Sequence, residues 1–311
     1  MWEHRPVLAK EVLDFLQVKE GGVYLDGTIG LGGHTEAILG ASISSVVIGV
    51  DKDEGALGET KKRFRKEIGK RLFLFHGDFK EVESLKKMFP SETWDGALLD
   101  LGVSSYQLDD PERGFSFQKE GPLDMRQSLS QKETAYDFIN RLSEKALADI
   151  FYKYGEEKFS RKIARKIIEV RERKPIRTTL ELAHLISYLI PKRKYQLHPA
   201  TRVFQALRIA VNRELEGLED ACRSLMGSMN IGGRLIVLSF HSLEDRIIKQ
   251  GFLRFENPCI CPRFLPRCVC GKRSMGVRIT RKPVVPTEGE IEKNPRSRSA
   301  KMRVFERRVV P

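Results

Sequence analysis

Short apolar runs that alternate with helix-like segments are the feature that most constrains the fold of this chain. Within residues 1–108, four such runs are each bounded by glycine, aspartate or a cluster of charges: residues 23–25, 46–50, 72–75 and 97–99. Runs this short and this rich in β-branched residues are typical of strands buried on both faces of a parallel sheet, with helices between them. The first third of the chain therefore predicts an α/β sheet.

The middle of the chain has a different hydrophobic pattern. No strand-like run occurs in residues 109–198, and helical periods begin with capping-box pairs, Ser130 with Glu133 and Thr178 with Glu181. After a long predicted helix over about residues 200–229, strand patterns return at 234–239, 277–280 and 302–305. We therefore predict a Rossmann-like sheet domain formed by residues 1–108 and 199–311. Residues 109–198 would be an inserted all-helical domain on the substrate side.

The charge of the chain points to a polyanionic partner. The 311 residues carry a formal net charge of +13, and basic side chains recur through the helical segment at residues 161–174 rather than in a low-complexity tail. Such a surface favours nucleic acid binding, although an ordinary solvated helix face would contain the same residues. No apolar run approaches the ~20 residues of a membrane helix. The beginning of the chain lacks an apolar signal core, so we expect a cytoplasmic location and no membrane partner.

A glycine-rich loop, DGTIGLGGH at residues 26–34, follows the first predicted strand and precedes a helix. Glycines at this position let the backbone turn tightly and approach a ligand. Asp51 ends the second predicted strand, and an acid about 20 residues after such a loop commonly accepts ribose hydroxyls. The loop alone would fit an ordinary strand-to-helix turn. With Asp51 it favours a nucleoside cofactor, but Thr35 stands where a dinucleotide fingerprint has its third glycine.

Polar residues also follow the third and fourth predicted strands. Phe79 is placed to stack on an adenine and Asp78 to accept from its amino group, or the two are a core aromatic and a turn residue. Asp100 begins a polar stretch that includes Gln107. Because ligands of open α/β sheets bind beyond the carboxyl ends of the strands, this stretch is where a reacting substrate would meet the cofactor.

Several motifs here resemble one family. The chain reads DLGVSSYQ at residues 100–107, RGFSF at 113–117, GPLDMR at 121–126, YGEE at 154–157, HPATR at 198–202 and SFHSLEDR at 239–246. Together with the loop at 26–34, these blocks resemble the ribosomal RNA small subunit methyltransferase H family. The blocks span nearly the whole chain, so the resemblance covers both the predicted sheet domain and the helical insertion.

The resemblance implies a Rossmann-like methyltransferase that uses S-adenosyl-L-methionine as its methyl donor. The family's donor-binding positions correspond in this sequence to Gly32, Gly33, His34, Asp51, Phe79, Asp100 and Gln107. The implied reaction is methylation of N4 of a cytosine in the decoding region of 16S rRNA. The implied partner is that rRNA within the 30S subunit. The sequence specifies no oligomeric state.

The reaction itself limits the choice of catalytic residues. The N4 lone pair of cytosine is delocalised into the ring, so the enzyme must align N4 with the methyl group and assist the departing proton. Asp100 is our first candidate for the group that accepts this proton, and Asp124, Asn212 and Ser239 are further candidates. Residues 100–103 read DLGV, where other amino-methylating enzymes have an Asp/Asn/Ser-Pro-Pro-aromatic motif. We expect His241 to be a helix-start residue rather than a catalytic one.

Four of the five cysteines form a cluster with the pattern C-x-C, six residues, C-x-C: Cys259, Cys261, Cys268 and Cys270. Four thiolates suit tetrahedral zinc, but the common ligand spacing is C-x2-C to C-x4-C. The spacing therefore favours a reduced loop bounded by Pro258 and Pro262 over a zinc site. No metal is expected at the reaction site.

Three other functions remain open at this stage. A nicotinamide-dependent oxidoreductase would bind NADH, and it is disfavoured by the missing third glycine. A basic RNA-binding ribosome assembly factor with a vestigial cofactor pocket would bind 30S particles regardless of Asp100. A DNA methyltransferase would be exposed by competition between substrates.

Overall fold

In the computed structural model, the structure describes residues 6–88, 93–190, 198–262 and 267–309. The chain divides into two compact units. The sheet unit comprises Met1–Gly102 and Gly217–Pro311, and the helical unit comprises Val103–Glu216. The helical unit thus extends beyond the predicted insertion of 109–198 at both ends, because Val103 and the helix after residue 200 pack within its own hydrophobic core.

One seven-stranded sheet organises the sheet unit, which confirms the predicted α/β class. Its spatial order is β3-β2-β1-β4-β5-β7-β6. Strands β1 to β5 are parallel, whereas β7 runs antiparallel to both β5 and β6. The strands are β1 (Val23–Asp26), β2 (Val46–Asp51), β3 (Leu72–His76), β4 (Trp94–Asp100), β5 (Met229–Ser239), β6 (Gly276–Arg278) and β7 (Lys301–Arg307).

Both faces of this sheet are buried. Successive strand residues point to opposite faces, and Leu25 and Leu99 contribute to one hydrophobic core while Tyr24 and Leu98 contribute to the other. A strand covered on both faces needs apolar residues at consecutive positions, which is why the strand runs in this sequence are short and nearly continuous rather than alternating.

Thirteen α-helices occur in the described residues. In chain order they are α1 (Ala9–Leu16), α2 (Gly33–Ala41), α3 (Glu54–Arg63), α4 (Val82–Met88), α5 (Ser105–Asp109), α6 (Ala135–Arg141), α7 (Glu144–Gly155), α8 (Ser160–Arg171), α9 (Thr179–Leu189), α10 (Thr201–Asn212), α11 (Leu218–Gly227), α12 (Ser242–Glu256) and α13 (Glu288–Lys293). Within the described ranges, none of these helices has the length and apolar content needed to cross a membrane.

The helical unit consists of α5 to α10 around its own core. No strand forms between residues 103 and 216 where the structure describes them, as the sequence predicts. Helix α8 shows why: Ile163, Ala164 and Ile167 are fully buried on one face, and basic residues occupy the other. The predicted capping box of Thr178 and Glu181 is confirmed at the start of α9.

Two predictions about this part of the chain are wrong. The capping box before α6 is formed by Thr134 and Asp137, not by Ser130 and Glu133. The helix predicted over about 200–229 is two helices, α10 and α11. Between them, Arg213 and Gly217 adopt left-handed backbone conformations with φ of 48° and 66°, which end one helix and redirect the chain before the next.

Candidate active site

Three carboxylates lie at the carboxyl edge of the parallel strands. Asp26 ends β1, Asp51 ends β2 and Asp100 ends β4. Strand order reverses between β1 and β4, because the chain proceeds from β1 to β2 and β3 on one side and places β4 on the other. Crevices at such a reversal are where open α/β sheets bind ligands, so the three acids occupy the expected position.

The loop after β1 depends on its glycines. Gly30 and Gly32 have φ of 51° and 79°, in the left-handed region that side chains disfavour. At Gly32, a Cβ would also lie 2.5 Å from a ring carbon of Phe64. Gly33 then begins α2. The sequence therefore uses glycine at residue 32 for two reasons, backbone conformation and the close approach of an aromatic ring.

The Asp51 carboxylate accepts a hydrogen bond from this loop and can accept further hydrogen bonds. Its Oδ2 accepts a hydrogen bond from the Gly30 N–H at 2.7 Å, and its Oδ1 accepts from the Asp53 N–H at 2.8 Å. Burial raises the pKa of the Asp51 carboxyl despite these two bonds. Since an ionised carboxylate can accept about four hydrogen bonds, each oxygen retains the capacity to accept another donor, such as a ribose hydroxyl.

Asp26 is buried and bonded only to uncharged groups. Its Oδ2 accepts from the Thr35 hydroxyl at 2.7 Å, and its Oδ1 accepts from the Thr28 N–H at 3.4 Å. Burial raises the pKa of Asp26 to about 6, and the neighbouring charge of Asp51 adds to this rise. No Lys or Arg in the described ranges forms an ion pair with Asp26, so its negative charge is available to a cationic ligand.

Asp100 is the least satisfied of the three acids. Its Oδ2 lies 3.7 Å from Nε2 of His34, while its Oδ1 is buried and has no hydrogen-bond partner among the described residues. Burial, followed by repulsion from Asp26 and Glu244, raises the pKa of Asp100 to about 7. A carboxyl group with such a pKa exchanges its proton readily near neutral pH.

The residues after β3 already have partners within the protein. Phe79 packs in the hydrophobic core beside Leu99 and is only 8% exposed. Asp78 accepts a hydrogen bond from the Lys80 N–H and forms a 2.8 Å ion pair with Lys52. Phe79 thus packs in the core and Asp78 already has a cationic partner, while a contact of Phe79 with the donor's adenine stays a prediction.

Gln107 belongs to the helical unit, where it caps α5. The Gln107 N–H donates to the Ser104 hydroxyl oxygen, and Oε1 of Gln107 accepts from the Ser104 N–H, both at 3.2 Å. This reciprocal pair is a capping box. The side chain is buried, so the structure gives Gln107 a role in starting the helix that the sequence interpretation did not include.

The two further catalytic candidates of the helical unit have internal partners. Both carboxylate oxygens of Asp124 accept from the Arg126 guanidinium, at 2.7 and 2.8 Å. Oδ1 of Asn212 accepts from the Gln127 N–H at 2.7 Å, and Nδ2 donates to the carbonyls of Met125 and Arg208. This arrangement fixes the loop at Met125, whose φ is 62°. Both side chains are therefore committed to the structure of that loop.

The polar residues at and just after the end of β5 form hydrogen bonds with backbone groups. The Ser239 hydroxyl donates to the Lys301 carbonyl at 3.3 Å. His241 is the N-cap of α12, where Nδ1 accepts from the Glu244 N–H, so its predicted role as a helix-start residue is confirmed. The Glu244 carboxylate accepts from the Phe240 N–H.

Sequence reasoning missed three contributors to the site. Thr28 accepts a hydrogen bond from the Asp100 N–H at 2.7 Å and thereby links the loop after β1 to the end of β4. Thr35 bonds Asp26, and Glu244 adds negative charge near Asp100. Thr28 lies inside the glycine-rich motif and Glu244 inside the SFHSLEDR block at 239–246, so both positions were marked. The sequence did not indicate that Glu244, which is distant along the chain, lies near Asp100.

Comparison with known proteins gives a consistent assignment. A family model described as the MraW methylase family matches residues 1–308. The chain is 48% identical over 307 residues to "Ribosomal RNA small subunit methyltransferase H" of Carboxydothermus hydrogenoformans, covering 98% of both chains. It is 47% identical over 310 residues to the protein of the same name from Halothermothrix orenii, covering 99% of both.

Proposed function

We propose that this chain, which belongs to the MraW methylase family, transfers a methyl group from S-adenosyl-L-methionine to small-subunit ribosomal RNA. The finer proposal is that the acceptor is N4 of a cytosine in the decoding region of 16S rRNA, cytosine 1402 in the standard numbering. The names of the relatives support the rRNA substrate, and the N4 position rests on the family resemblance. The observation that carries the proposal is the set of three acids at the switch point of the sheet.

The acids fit the methyl donor in position and in charge. Asp51 ends the second strand and has acceptor capacity on both oxygens, which suits the two ribose hydroxyls of an adenosine. Asp26 and Asp100 lack Lys or Arg partners in the described ranges, and the donor carries cationic sulfonium and ammonium groups. A site that concentrates buried negative charge favours such a ligand over a dinucleotide pyrophosphate, which is an anion.

The donor supplies an electrophilic methyl group, and the protein must manage the acceptor's proton. We assign this role to Asp100, because Oδ1 has no partner in the described residues and the pKa of about 7 allows it to accept a proton at neutral pH. Nε2 of His34 lies 3.7 Å from Oδ2, beyond hydrogen-bond distance in this structure. Thr28 fixes the backbone of Asp100 through its hydroxyl, so the acid would be held before any substrate binds.

We assign RNA binding to the helical unit. Arg161 and Lys162 on α8 are exposed and form no ion pair with described residues, whereas the buried side of α8 faces the core of the unit. Cations without acidic partners can neutralise phosphates at no cost in internal ion pairs. The target cytosine would have to leave its stack to reach a carboxylate at a strand end.

A labelling experiment tests the proposal. The purified chain is incubated with methyl-labelled S-adenosylmethionine and 30S particles from cells that lack this modification, and the RNA is digested to nucleosides. We expect label in N4-methylcytidine, and loss of that label with Asp51→Ala. Label on a different nucleoside would contradict the N4 proposal while leaving the donor site intact.

The same experiment addresses the alternatives. Tight 30S binding without any labelled nucleoside, and unchanged by Asp100→Ala, would favour an assembly factor with a vestigial pocket. Labelled DNA in a competition with rRNA would favour a DNA methyltransferase. Binding of NADH in place of S-adenosylmethionine would favour an oxidoreductase.

A further inference from the structure

We propose that the sheet unit contains a structural zinc site formed by Cys259, Cys261, Cys268 and Cys270, separate from the candidate active site. The sequence spacing alone favoured a reduced loop without metal. The positions of the four sulfur atoms lead to the opposite conclusion.

The sulfur atoms are arranged as ligands of a single ion. Their separations are 3.6 Å between Cys259 and Cys268, 3.8 Å between Cys261 and Cys268, 3.4 Å between Cys268 and Cys270 and 4.0 Å between Cys259 and Cys270. All four lie within 4.8 Å of one another. A tetrahedral zinc with Zn–S bonds of about 2.3 Å requires S···S separations of about 3.8 Å. The S–S bond of a disulfide is about 2.05 Å, and all four cysteines are free.

Hydrophobic burial does not account for this clustering. Cys259 and Cys268 are exposed, and the residues between the paired cysteines, Ile260 and Val269, are 69% and 77% exposed. The Val269 N–H donates to Sγ of Cys261 at 3.3 Å. Hydrogen bonds from the backbone to sulfur orient and stabilise thiolates that bind a metal. A metal ion would supply the attraction that an apolar core does not supply here.

The surrounding chain also needs such a restraint. Residues 257–275 connect α12 to β6, and the described residues of this connection, 257–262 and 267–275, form no helix or strand. Connections longer than ~12 to 15 residues without secondary structure are uncommon in compact domains. A backbone hydrogen bond joins the two ends of this connection, where the Met275 N–H donates to the Phe255 carbonyl at 2.9 Å.

The position of the connection makes the site structural rather than catalytic. Helix α12 begins just after the carboxyl end of β5 and returns along the sheet, and β6 starts opposite Arg307, at the last residue of the antiparallel β7. Both ends of the connection therefore lie at the amino edge of the parallel strands, away from Asp26, Asp51 and Asp100. Four cysteine ligands also leave no coordination position for a substrate.

Zinc is the ion that this ligand set suits best. Tetrahedral thiolate sites select zinc or iron. The close sulfur separations fit one ion rather than a multi-iron cluster, whose ligands are spread around several metal atoms. Two of the four thiolates are exposed, and zinc has no redox chemistry that solvent exposure would promote.

The first test is the metal content of the full-length chain purified without chelators, measured by inductively coupled plasma mass spectrometry. We expect about one equivalent of zinc per chain in the wild type, and less than roughly 0.1 equivalent in the double variant Cys261→Ser/Cys268→Ser. Cys222→Ala is the matched control, because Cys222 is buried in α11 and burial raises the pKa of its thiol to about 12. This control should retain the full equivalent.

A second measurement on the wild type does not depend on how well a variant folds. Zinc is removed with a mercurial reagent, the thiols are restored and Co²⁺ is added. We expect the thiolate-to-cobalt charge-transfer band and the intense visible bands of a tetrahedral cobalt site. A wild-type chain without metal and without these cobalt bands would overturn the proposal. So would iron in place of zinc, or a full zinc equivalent in the double variant.

Discussion

Two sets of polar side chains in this protein differ in how their hydrogen-bonding capacity is used. In the sheet unit, Asp26, Asp51 and Asp100 have pKa values raised by burial, and Oδ1 of Asp100 has no partner in the described residues. In the helical unit, Asp124 is held by Arg126 and Asn212 bonds three backbone groups. Both sets contained candidates for catalysis when only the sequence was considered.

The difference teaches which set is available for chemistry. A buried carboxylate without a countercharge destabilises the folded chain, so such a group indicates a ligand that supplies the missing charge. A side chain whose partners are all internal stabilises the fold but has little capacity left for a substrate. We therefore propose that the carboxyl edge of the sheet binds the ligand and that Asp124 and Asn212 stabilise the helical unit.

The largest expected effect is a loss of folding stability when a residue of the helical unit is changed. Asn212→Ala leaves the Gln127 N–H and the Met125 carbonyl without their partner, so we expect the free energy of unfolding to fall by about 2 to 4 kcal/mol. Urea unfolding followed by circular dichroism measures this loss. The exposed Asn230→Ala is the control and should change stability by less than about 0.5 kcal/mol. An Asn212→Ala variant with unaltered stability but no methyl transfer would reverse the assignment.

The second expected effect is a gain in the free energy of unfolding rather than a loss. The folded-state pKa of Asp100 is raised from 3.8 to about 7, so the folded chain binds this proton more tightly than the unfolded chain. The ionised carboxylate therefore costs stability above pH 7, and the cost fades as pH falls toward 4. Asp100→Asn should stabilise the ligand-free protein at pH 8 by about 1 to 2 kcal/mol, a value reduced because the side chain is 27% exposed.

Thermal unfolding at pH 8 and pH 5 checks this prediction for Asp100→Asn. The stabilisation should be present at pH 8 and smaller at pH 5, while methyl transfer is impaired at both. Destabilisation at pH 8 would mean that the ionised carboxylate has a favourable partner, and the contrast between the two units would fail.

The pH dependence of donor binding is the third expected effect. If the cationic donor requires ionised Asp100, with a pKa of about 7, its affinity should fall roughly tenfold between pH 8 and pH 6, because the ionised fraction falls by that factor. Asp26, with a pKa of about 6, would extend the decline below pH 6. Calorimetric titrations of the wild type and of Asp100→Asn measure this, and the variant should lose the upper part of the dependence.

The smallest expected effect concerns the exposed basic residues of α8. Arg161→Glu/Lys162→Glu should weaken rRNA binding several-fold at moderate salt and lower the slope of log affinity against log salt by about 1 to 2. The control pair Lys61→Glu/Lys70→Glu changes the charge of the sheet unit equally. Equal losses in both pairs would show that net charge alone, and not the surface of α8, attracts the RNA.

Much of the sheet unit could be predicted from the sequence because its signals are local. The strand runs, the glycine-rich loop and Asp51 lie within short segments whose pattern reflects burial on both faces of a sheet. The commitment of Asn212 to Gln127 could not be predicted, since the two residues are 85 positions apart and nothing in either segment indicates the contact. The sequence prediction did not place the end of α10 correctly, because arginine has a high helix propensity and Arg213 therefore gave no sign of a break. Only Gly217 indicated that the helix ends in this region.

The cysteine cluster illustrates the same limit. Spacing rules describe ligand pairs on familiar turns, and C-x-C pairs do not match them. The three-dimensional meeting of Cys259 with Cys268 depends on the path of the whole connection between α12 and β6, which the sequence pattern does not specify.

Titration of S-adenosylmethionine into the purified chain at pH 8, without RNA, tests the assignment of the carboxyl edge most directly. We predict one binding site per chain. Asp51→Ala should weaken binding about 100-fold, through the loss of two hydrogen bonds of about 1.5 kcal/mol each to a carboxylate. Asp124→Asn in the helical unit should bind as the wild type does. No binding by the wild type, or equal binding by Asp51→Ala, would contradict the account.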